Sequence, residues 1–249
     1  MRYFVSFSYR GTAYHGWQRQ PNGVSVQQVM DEAMSLLMQQ TVSLTAAGRT
    51  DAGVHAEMMV AHFDTDKPVA DIEALLQRLN TYLPQDIAVR QIMPVTDDAH
   101  ARFDALSRTY EYRCVFRKSP FLTGLCTRIS ADLDFCLMND AAKVLLATDD
   151  FASFCKLHTD VKTTLCRVTK AEWRVDTEGA VFTITADRFL RNMVRAVVGT
   201  LFEVGRHRMT INEFRNVINL RHRTAAGQSV PAEGLFLTEI TYPDHIFRQ

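Results

Sequence analysis

The chain has 249 residues, of which 47% are hydrophobic and 22% charged, so it can bury one large core or two cores of about 100 to 130 residues each. Its 28 basic residues balance 28 acidic residues, so the overall charge gives no support for a polyanion-binding protein. The sequence shows neither an apolar run near the roughly 20 residues of a membrane helix nor the pattern of a signal peptide. We therefore expect a globular protein that resides in the cytoplasm, with no membrane partner.

Hydrophobic periodicity predicts the secondary structure in chain order. The first residues alternate aromatic or aliphatic side chains with serine, which is typical of a half-buried strand. Ser25 and Gln28 form a predicted capping box, and Asp71 is the predicted N-cap of a second helix that ends before Pro84. The predicted strands span 3–9, 42–46, 54–63, 87–93, 110–116, 163–175, 180–186 and 235–242, and the predicted helices span 26–37, 71–82, 131–147, 189–204 and 210–220.

The order strand, helix, strand, strand, helix, strand occurs in rough outline in each half of the chain. This order predicts an α+β fold with two halves and antiparallel sheets. The periodicity is interrupted near residues 97–108. We therefore predict an N-terminal α+β domain at residues 1–104, which carries the acid-bearing loop, and a C-terminal α+β domain at residues 105–249, which carries the arginine-rich helix.

Residues 47–56 form a loop that combines two glycines, a cation, an anion and an imidazole. Gly48 and Gly53 bracket the charged residues and are predicted to permit a sharp turn that presents Asp51. A carboxylate can act as nucleophile, general base or metal ligand, and Arg49 could steer a phosphate toward it. On these residues alone, a polar turn with an ordinary surface pair of Arg49 and Asp51 remains an alternative.

Positive charge is concentrated in one region of this neutral chain. Between residues 188 and 223 there are eight arginines and two acids, which leaves a local balance of +6. Arginine suits fork-like contacts with phosphates. Arg191 and Arg195 are four residues apart in the predicted helix 189–204, so we expect them on one face, where two like charges favour a nearby anion. A solvated helix face is the alternative for this pair.

Five ordered motifs together resemble the tRNA pseudouridine synthase A family over about residues 3–244. They are YHGWQRQ at 14–20, GRTDAGVH at 48–55, HARF at 100–103 with RTYEY at 108–112, the segment 189–199, and AEGLFL at 232–237. The resemblance implies the pseudouridine synthase fold, with two ferredoxin-like halves joined into one extended sheet surface and a central catalytic cleft. It also implies a homodimeric isomerase that converts uridine to pseudouridine in the anticodon stem-loop of tRNA, at nucleotides 38, 39 and 40, without a cofactor.

The same resemblance implies roles for individual residues. Asp51 is implied to be the catalytic carboxylate, and Arg195 the arginine that pairs with it. Arg49 would hold the flipped nucleotide out of the stack, Tyr110 would stack on the uracil, and Leu235 would pack on the other side of the base. Ordinary sheet residues are the alternative for the last two. Further predicted RNA contacts, which ordinary surface or packing roles also fit, are Arg191, Arg206, Trp17, Arg19 and Arg102.

The reaction needs an ionised Asp51, but the sequence leaves three routes open: attack on C1′, attack on uracil C6, or removal of the 2′ proton. A non-catalytic RNA-binding protein and a small-molecule hydrolase using Asp51 with His55 are the competing functions. His55 and His62 suggest a metal site near Asp51 and Asp64, but the sequence offers no further ligand at a recognised spacing. The five cysteines also lack a C-x-x-C pair, so no metal is predicted.

Two departures from the common family pattern bear on RNA contacts. The stretch before Tyr110 is less basic than the arginine-rich version usual in the family, and Arg191 stands where many relatives have histidine. We therefore expect contacts with the RNA backbone to be distributed differently in this chain.

Overall fold

The computed structural model describes residues 1–156 and 162–248, and the chain forms two compact units. Unit 1 comprises Met1–Ser107 together with Leu237–Gln249, and unit 2 comprises Arg108–Phe236. The predicted division into residues 1–104 and 105–249 did not anticipate that the C-terminal stretch belongs to unit 1. Aromatic packing explains this placement, because the rings of Tyr242 and Phe247 lie 5.1 and 6.2 Å from the ring of Phe4.

Unit 1 has the order of a split βαβ motif. Its strands are β1 (Arg2–Tyr9), β2 (Thr45–Ala46), β3 (His55–Asp64) and β4 (Ile87–Val95), and its helices are α1 (Val26–Met38) and α2 (Ile72–Tyr82). β1 lies between β3 and β4 and is antiparallel to both. β2 pairs antiparallel with β3 at Ala61 and His62. These two residues also pair with β1, so β1 and β2 lie on opposite edges of β3.

Side-chain caps begin both helices of unit 1. Ser25 accepts a hydrogen bond from the backbone N–H of Gln28, at 3.2 Å. The Gln28 side chain bonds to Glu32 rather than back to the cap, so only half of the predicted capping box forms. Asp71 accepts from Ala74 N at 2.9 Å, as its N-cap position predicts.

Unit 2 repeats the alternation of strands and helices. Its elements are β5 (Ser107–Val115), which begins at the last residue of unit 1, then β6 (Thr127–Arg128), α3 (Phe135–Leu146), β7 (Val168–Val175), β8 (Gly179–Ala186), α4 (Met193–Gly205), α5 (Ile211–Asn219) and β9 (Leu235–Thr241), which continues into unit 1. β8 lies between β5 and β7 and is antiparallel to both. A parallel pair of two residues per strand joins β5 to β6, which the prediction of antiparallel sheets did not include. The α+β class itself is confirmed.

The arginine-bearing helix begins later than the sequence predicts. α4 starts at Met193 rather than at residue 189, because Asn192 adopts a left-handed conformation with φ of 65°. A turn precedes the helix, in which Met193 N donates to Leu190 O at 3.1 Å. Arg191 therefore lies in this turn and not on a helical face beside Arg195, and the prediction of a shared face is wrong.

Each unit has its own apolar core. Phe4, Phe7 and Phe63 are fully or almost fully buried in unit 1. In unit 2 the ring of Trp173 lies 5.1 Å from that of Phe182 and packs against α4. No helix among the described residues is both long enough and apolar enough to span a membrane.

Candidate active site

The loop that carries Asp51 lies between β2 and β3 in unit 1 and is held by backbone hydrogen bonds at both ends. Ala47 N donates to Val60 O at 2.8 Å, and Val54 N donates to Asp51 O at 3.1 Å. Asp51 is half-buried and Arg49 is exposed. The backbone thus sets the position of the carboxylate, while Arg49 projects from the same loop.

A second loop, formed by residues 10–20 after β1, packs against the Asp51 loop. Trp17 N donates to Thr50 O at 3.2 Å, and the Thr50 hydroxyl shares a buried hydrogen bond of 2.7 Å with Tyr9. The residue before Asp51 is therefore tied through both its backbone and its side chain. This arrangement restricts the motion of the carboxylate that follows.

Glycine is required at two positions around Asp51. Gly16 has φ of +84°, and a Cβ at this position would collide with the carbonyl oxygen of Thr50. Gly53 also lies in the left-handed region, with φ of 78°, as the sequence predicts. Gly48 has no positive φ and no atom within 4 Å of an added Cβ, so the backbone role predicted for it is wrong. The close approach comes from Gly16, in the YHGWQRQ motif.

Both histidines of the suggested metal site take part in backbone hydrogen bonds. His55 Nδ1 accepts from Gly11 N at 3.0 Å, and His62 Nδ1 accepts from Ala101 N at 3.1 Å. Burial lowers the pKa of His62 to about 4, and the nearby Arg2 charge acts in the same direction. Within residues 1–156 and 162–248, no three His, Cys, Asp or Glu side chains are placed to hold a metal ion.

The predicted RNA contacts of unit 1 differ in their exposure. Trp17 is only 3% exposed, and its ring lies 5.5 Å from that of Phe7, so this residue packs the second loop onto the sheet. Trp17 therefore offers little ring surface for stacking with an RNA base. Arg19 and Arg102 are both exposed, and the guanidinium of Arg102 lies 5.8 Å from the exposed ring of Phe103.

Unit 2 carries Tyr110 and Leu235, the two residues implied to hold the uracil. Tyr110 lies in the middle of β5 and is partly exposed, and the ring of Phe189 meets it edge-on at 5.0 Å. Leu235 begins β9 and is 6% exposed. Phe189 was not predicted as a site residue, although it opens the motif at 189–199; its contact with Tyr110 shows that it supports that ring.

Arg195 lies on the first turns of α4 and is tied to the chain before β9. Its Nε donates to Val230 O at 2.7 Å, and Val230 N donates back to the Arg195 carbonyl oxygen at 3.2 Å. Asn192 and Thr200 bind the same stretch through Ser229 and through the backbone N–H of Gly227. The guanidinium therefore has a defined orientation in unit 2.

Several of the eight arginines between residues 188 and 223 have acidic partners inside unit 2. The Arg206 and Arg208 guanidinium groups lie 2.7 and 3.8 Å from the carboxylate of Glu203. Arg221 lies 3.1 Å from Asp150, an acid outside the counted window. Glu203 is already counted in the predicted local balance of +6, whereas Asp150 is not, so the pair of Arg221 with Asp150 lowers the positive charge available to a ligand below that balance.

Arg223 has a structural environment as well. It donates to the carbonyl oxygens of Ala226 and Gly227 and to the hydroxyl of Ser229, at 2.8 to 3.3 Å. Burial lowers its pKa, in keeping with this half-buried position. Arg191 is exposed in the turn before α4.

Comparisons with known proteins agree with these motifs. A family model described as tRNA pseudouridine synthase matches residues 5–104 and 141–243. The tRNA pseudouridine synthase A of Parabacteroides distasonis is 54% identical over 246 residues, covering 99% of this chain and 98% of its own length. The proteins of the same name from Porphyromonas gingivalis and Colwellia psychrerythraea are 52% and 38% identical, covering 99% and 98% of this chain and 99% and 95% of their own lengths.

Proposed function

The chain belongs to the tRNA pseudouridine synthase family, and we propose that it isomerises uridine to pseudouridine in the anticodon stem-loop of tRNA, at nucleotides 38, 39 and 40. The observation that carries this proposal is the Asp51 loop, whose backbone is bonded at both ends and to the second loop. The loop holds one half-buried carboxylate beside an exposed arginine. Such an arrangement fits a reaction that needs one acid and no cofactor.

Asp51 serves as the catalytic carboxylate in this proposal. The reaction breaks the C1′–N1 bond of uridine, joins C1′ to C5 of the uracil, and removes the C5 proton, so the product is an isomer of the substrate. The carboxylate performs one of three steps: attack on C1′, attack on C6, or removal of the 2′ proton. The restrained loop supports each of these equally, because each needs the oxygen held close to its target atom.

The other site residues have distinct roles in the proposal. Arg195 supplies the positive charge for the catalytic carboxylate, and its bond to Val230 orients the guanidinium. Tyr110 stacks on the uracil, with Phe189 supporting its ring edge-on. Leu235 provides the apolar contact on the other side of the base. Arg49 takes the place of the nucleotide that is extruded from the stem, since a uracil inside a helix is out of reach of the acid.

Exposed arginines hold the RNA backbone in this proposal. Arg19 and Arg102 in unit 1 and Arg191 in unit 2 are exposed and carry fork-like donors for phosphate oxygens. Arg19 lies 3.8 Å from Glu32 and Arg206 lies 2.7 Å from Glu203, so we assign both a smaller share of binding than their charges alone indicate.

We further propose that the protein acts as a homodimer in the cytoplasm, which the family resemblance implies. Light scattering during size-exclusion chromatography measures the mass of the assembly, for which a single chain contributes 28.3 kDa. A mass of one chain at micromolar concentration would contradict the dimer and leave the isomerase proposal standing.

The isomerase proposal is tested by incubating the purified protein with an unmodified tRNA transcript in the presence of EDTA and then mapping pseudouridine along the RNA. We expect modification at nucleotides 38 to 40 without added metal or nucleotide. A folded protein that binds the transcript but forms no pseudouridine would instead be an RNA-binding protein. Release of uracil from the transcript would indicate hydrolysis and would also contradict the proposal.

A further inference from the structure

The segment that leads into the Asp51 loop is held by a helix rather than by a full strand partner. Pairing with β3 begins only at Thr45, although the sequence predicts a strand from residue 42. Before that point the backbone of Val42 is bonded by Ser35 of α1, whose hydroxyl accepts from Val42 N at 2.9 Å and donates to Val42 O at 3.2 Å. A side chain here replaces the backbone groups of a neighbouring strand.

Two further side chains of α1 bind the next part of the segment. Asp31 accepts from Leu44 N at 2.9 Å, and Gln27 donates to Leu44 O at 2.9 Å. Gln27, Asp31 and Ser35 are each four residues apart, so they form a row along one face of α1. We refer to these three residues as the α1 polar row.

Gln27 also bonds the second loop that packs on Asp51. Its side-chain oxygen accepts from Arg19 N at 3.0 Å, while its side-chain nitrogen donates to Leu44 O. The backbone N–H of Gln27 donates to Trp17 O, and Trp17 N in turn donates to Thr50 O. Gln27 therefore connects the two segments that set the position of the Asp51 backbone.

The α1 polar row is largely shielded from solvent. Asp31 is 9% exposed, and Gln27 and Ser35 are half-buried. Buried backbone groups without a hydrogen-bond partner destabilise the fold. Loss of one of these side chains therefore favours a displacement of Val42 or Leu44 that restores hydrogen bonding to its backbone. A displacement of about 1 Å in a catalytic group can lower a rate by about 100-fold.

We propose that Gln27, Asp31 and Ser35 are positioning residues for pseudouridine formation, which they promote by fixing residues 42–46 and, through them, the Asp51 loop. This inference rests on the proposed function. The row touches neither substrate nor reacting atoms; it limits the positions that the carboxylate can take. Its loss therefore lowers the rate of the chemical step more than it lowers tRNA affinity.

Steady-state kinetics on an unmodified tRNA transcript test the proposal. We expect Gln27→Ala to lower kcat by about tenfold or more while KM changes by less than about threefold. Gln28→Ala is the matched control, because the Gln28 side chain donates to the exposed Glu32 and lies outside the α1 polar row. A folded Gln27→Ala variant with the same kcat as the control would overturn the proposal.

Asp31 provides a second test in case Gln27→Ala does not fold. Asp31→Asn keeps an oxygen acceptor for Leu44 N, and Asp31→Leu does not. We expect the asparagine variant to keep kcat within about threefold of wild type and the leucine variant to lose about tenfold or more. Equal kcat values in these two variants would contradict the positioning role.

Amide hydrogen exchange separates this inference from the proposed function. Loss of Gln27 should increase exchange in residues 42–54, and Gln28→Ala should not, whether or not the protein makes pseudouridine. Unchanged exchange in this peptide would overturn the inference even in an active enzyme. Increased exchange in Gln27→Ala, together with a wild-type protein that fails to modify tRNA, would leave the structural link intact and refute the proposed function alone.

Discussion

The acid-bearing loop of unit 1 and the arginine-rich stretch of unit 2 were both predicted from sequence. The loop has the sharp turn that was predicted for it, whereas the arginine-rich stretch has less available positive charge than was predicted. In unit 1, Asp51 lies on a turn fixed by backbone hydrogen bonds and by a left-handed Gly53. In unit 2, Arg206 has an acidic partner within α4 and Arg221 pairs with a distant acid. The turn can be predicted because it depends on residues close to Asp51 in sequence. The charge available to a ligand is harder to predict because it also depends on acids elsewhere in the fold.

The variant Gly16→Ala is expected to have the largest effect, and it tests whether the second loop positions the Asp51 loop in unit 1. An added Cβ collides with Thr50 O and the backbone has φ of +84°, so the second loop must move away from the Asp51 loop. We expect pseudouridine formation to fall by about 100-fold or more, with a loss of stability of about 2 kcal/mol or more. Gly48→Ala is the control, and thermal unfolding should shift little in it because the added Cβ meets open space. Similar activity in Gly16→Ala and wild type would show that the contact between the loops does not position the acid.

Arg195 offers the corresponding test in unit 2. Arg195→Lys keeps the positive charge but loses the planar fork that bonds Val230 O and orients the guanidinium. We expect kcat to fall by about 10-fold to 100-fold with a smaller change in tRNA affinity. Arg215→Lys is the control, since that arginine lies exposed on α5 beside Asn212. If the two lysine variants had equal kcat values, Arg195 would have no catalytic role.

The salt dependence of tRNA binding compares the exposed Arg191 with Arg206, whose charge is offset by Glu203. Arg191→Ala should reduce the slope of log affinity against log salt by about 0.7 to 0.9, the value for one phosphate contact. Arg206→Ala should reduce it by less than about 0.3, because Glu203 already offsets that charge. Binding titrations from about 50 to 200 mM salt measure both slopes. Equal reductions in the two variants would show that internal ion pairs do not limit RNA contacts.

The limits of prediction follow from the same distinction. The periodicity of β1, the caps at Ser25 and Asp71 and the end of α2 before Pro84 were predictable because each depends on neighbours in sequence. The start of α4 was not predictable in this way. The apolar residues at helical spacing extend back to Leu190, but the left-handed Asn192 prevents the helix from beginning before Met193. The prediction of the α+β class is nevertheless correct, because the class depends on the order of the elements and not on the residues at which they begin and end.

Within the candidate site, the GRTDAGVH motif is enough to propose Asp51 as the catalytic carboxylate, but it does not reveal which contacts fix the position of that residue. The collision at Gly16 and the bonds from Gln27 involve segments that are separate in sequence. Trp17 shows the opposite case, because this aromatic residue in a polar motif was predicted to contact RNA and is 3% exposed. Burial of this kind depends on tertiary packing, which periodicity in a loop does not reveal.

A smaller effect is expected from the pH dependence of stability at Asp31. Burial raises the pKa of this carboxyl to about 6, partly opposed by the bond from Leu44 N and the charge of Arg19, while Glu32 raises it further. The folded state then binds more protons than the unfolded state between about pH 4 and 6, so stability falls as pH rises through this window. Asp31→Asn should remove that fall and be more stable than wild type at pH 7 by about 1 to 2 kcal/mol, after allowance for solvent screening.

Urea unfolding of Asp31→Asn and wild type at several pH values measures this difference. Asp66→Asn provides the control variant, because it neutralises an exposed carboxyl of unit 1 that is not among the groups acting on Asp31. If the stability difference between Asp31→Asn and wild type were constant from pH 4 to 7, Asp31 would not titrate in the folded protein as the structure indicates.

The catalytic role of Asp51 is tested most directly by single-turnover pseudouridine formation with wild type and Asp51→Asn, together with tRNA affinity for both. The asparagine side chain has nearly the same shape but cannot act as a nucleophile or a base in the proposed steps. We predict no detectable pseudouridine at nucleotides 38 to 40 with the variant, while affinity stays within about tenfold, or roughly 1.4 kcal/mol, of wild type. A variant that binds tRNA and retains a tenth or more of the wild-type rate would contradict the assignment of Asp51 as the catalytic carboxylate.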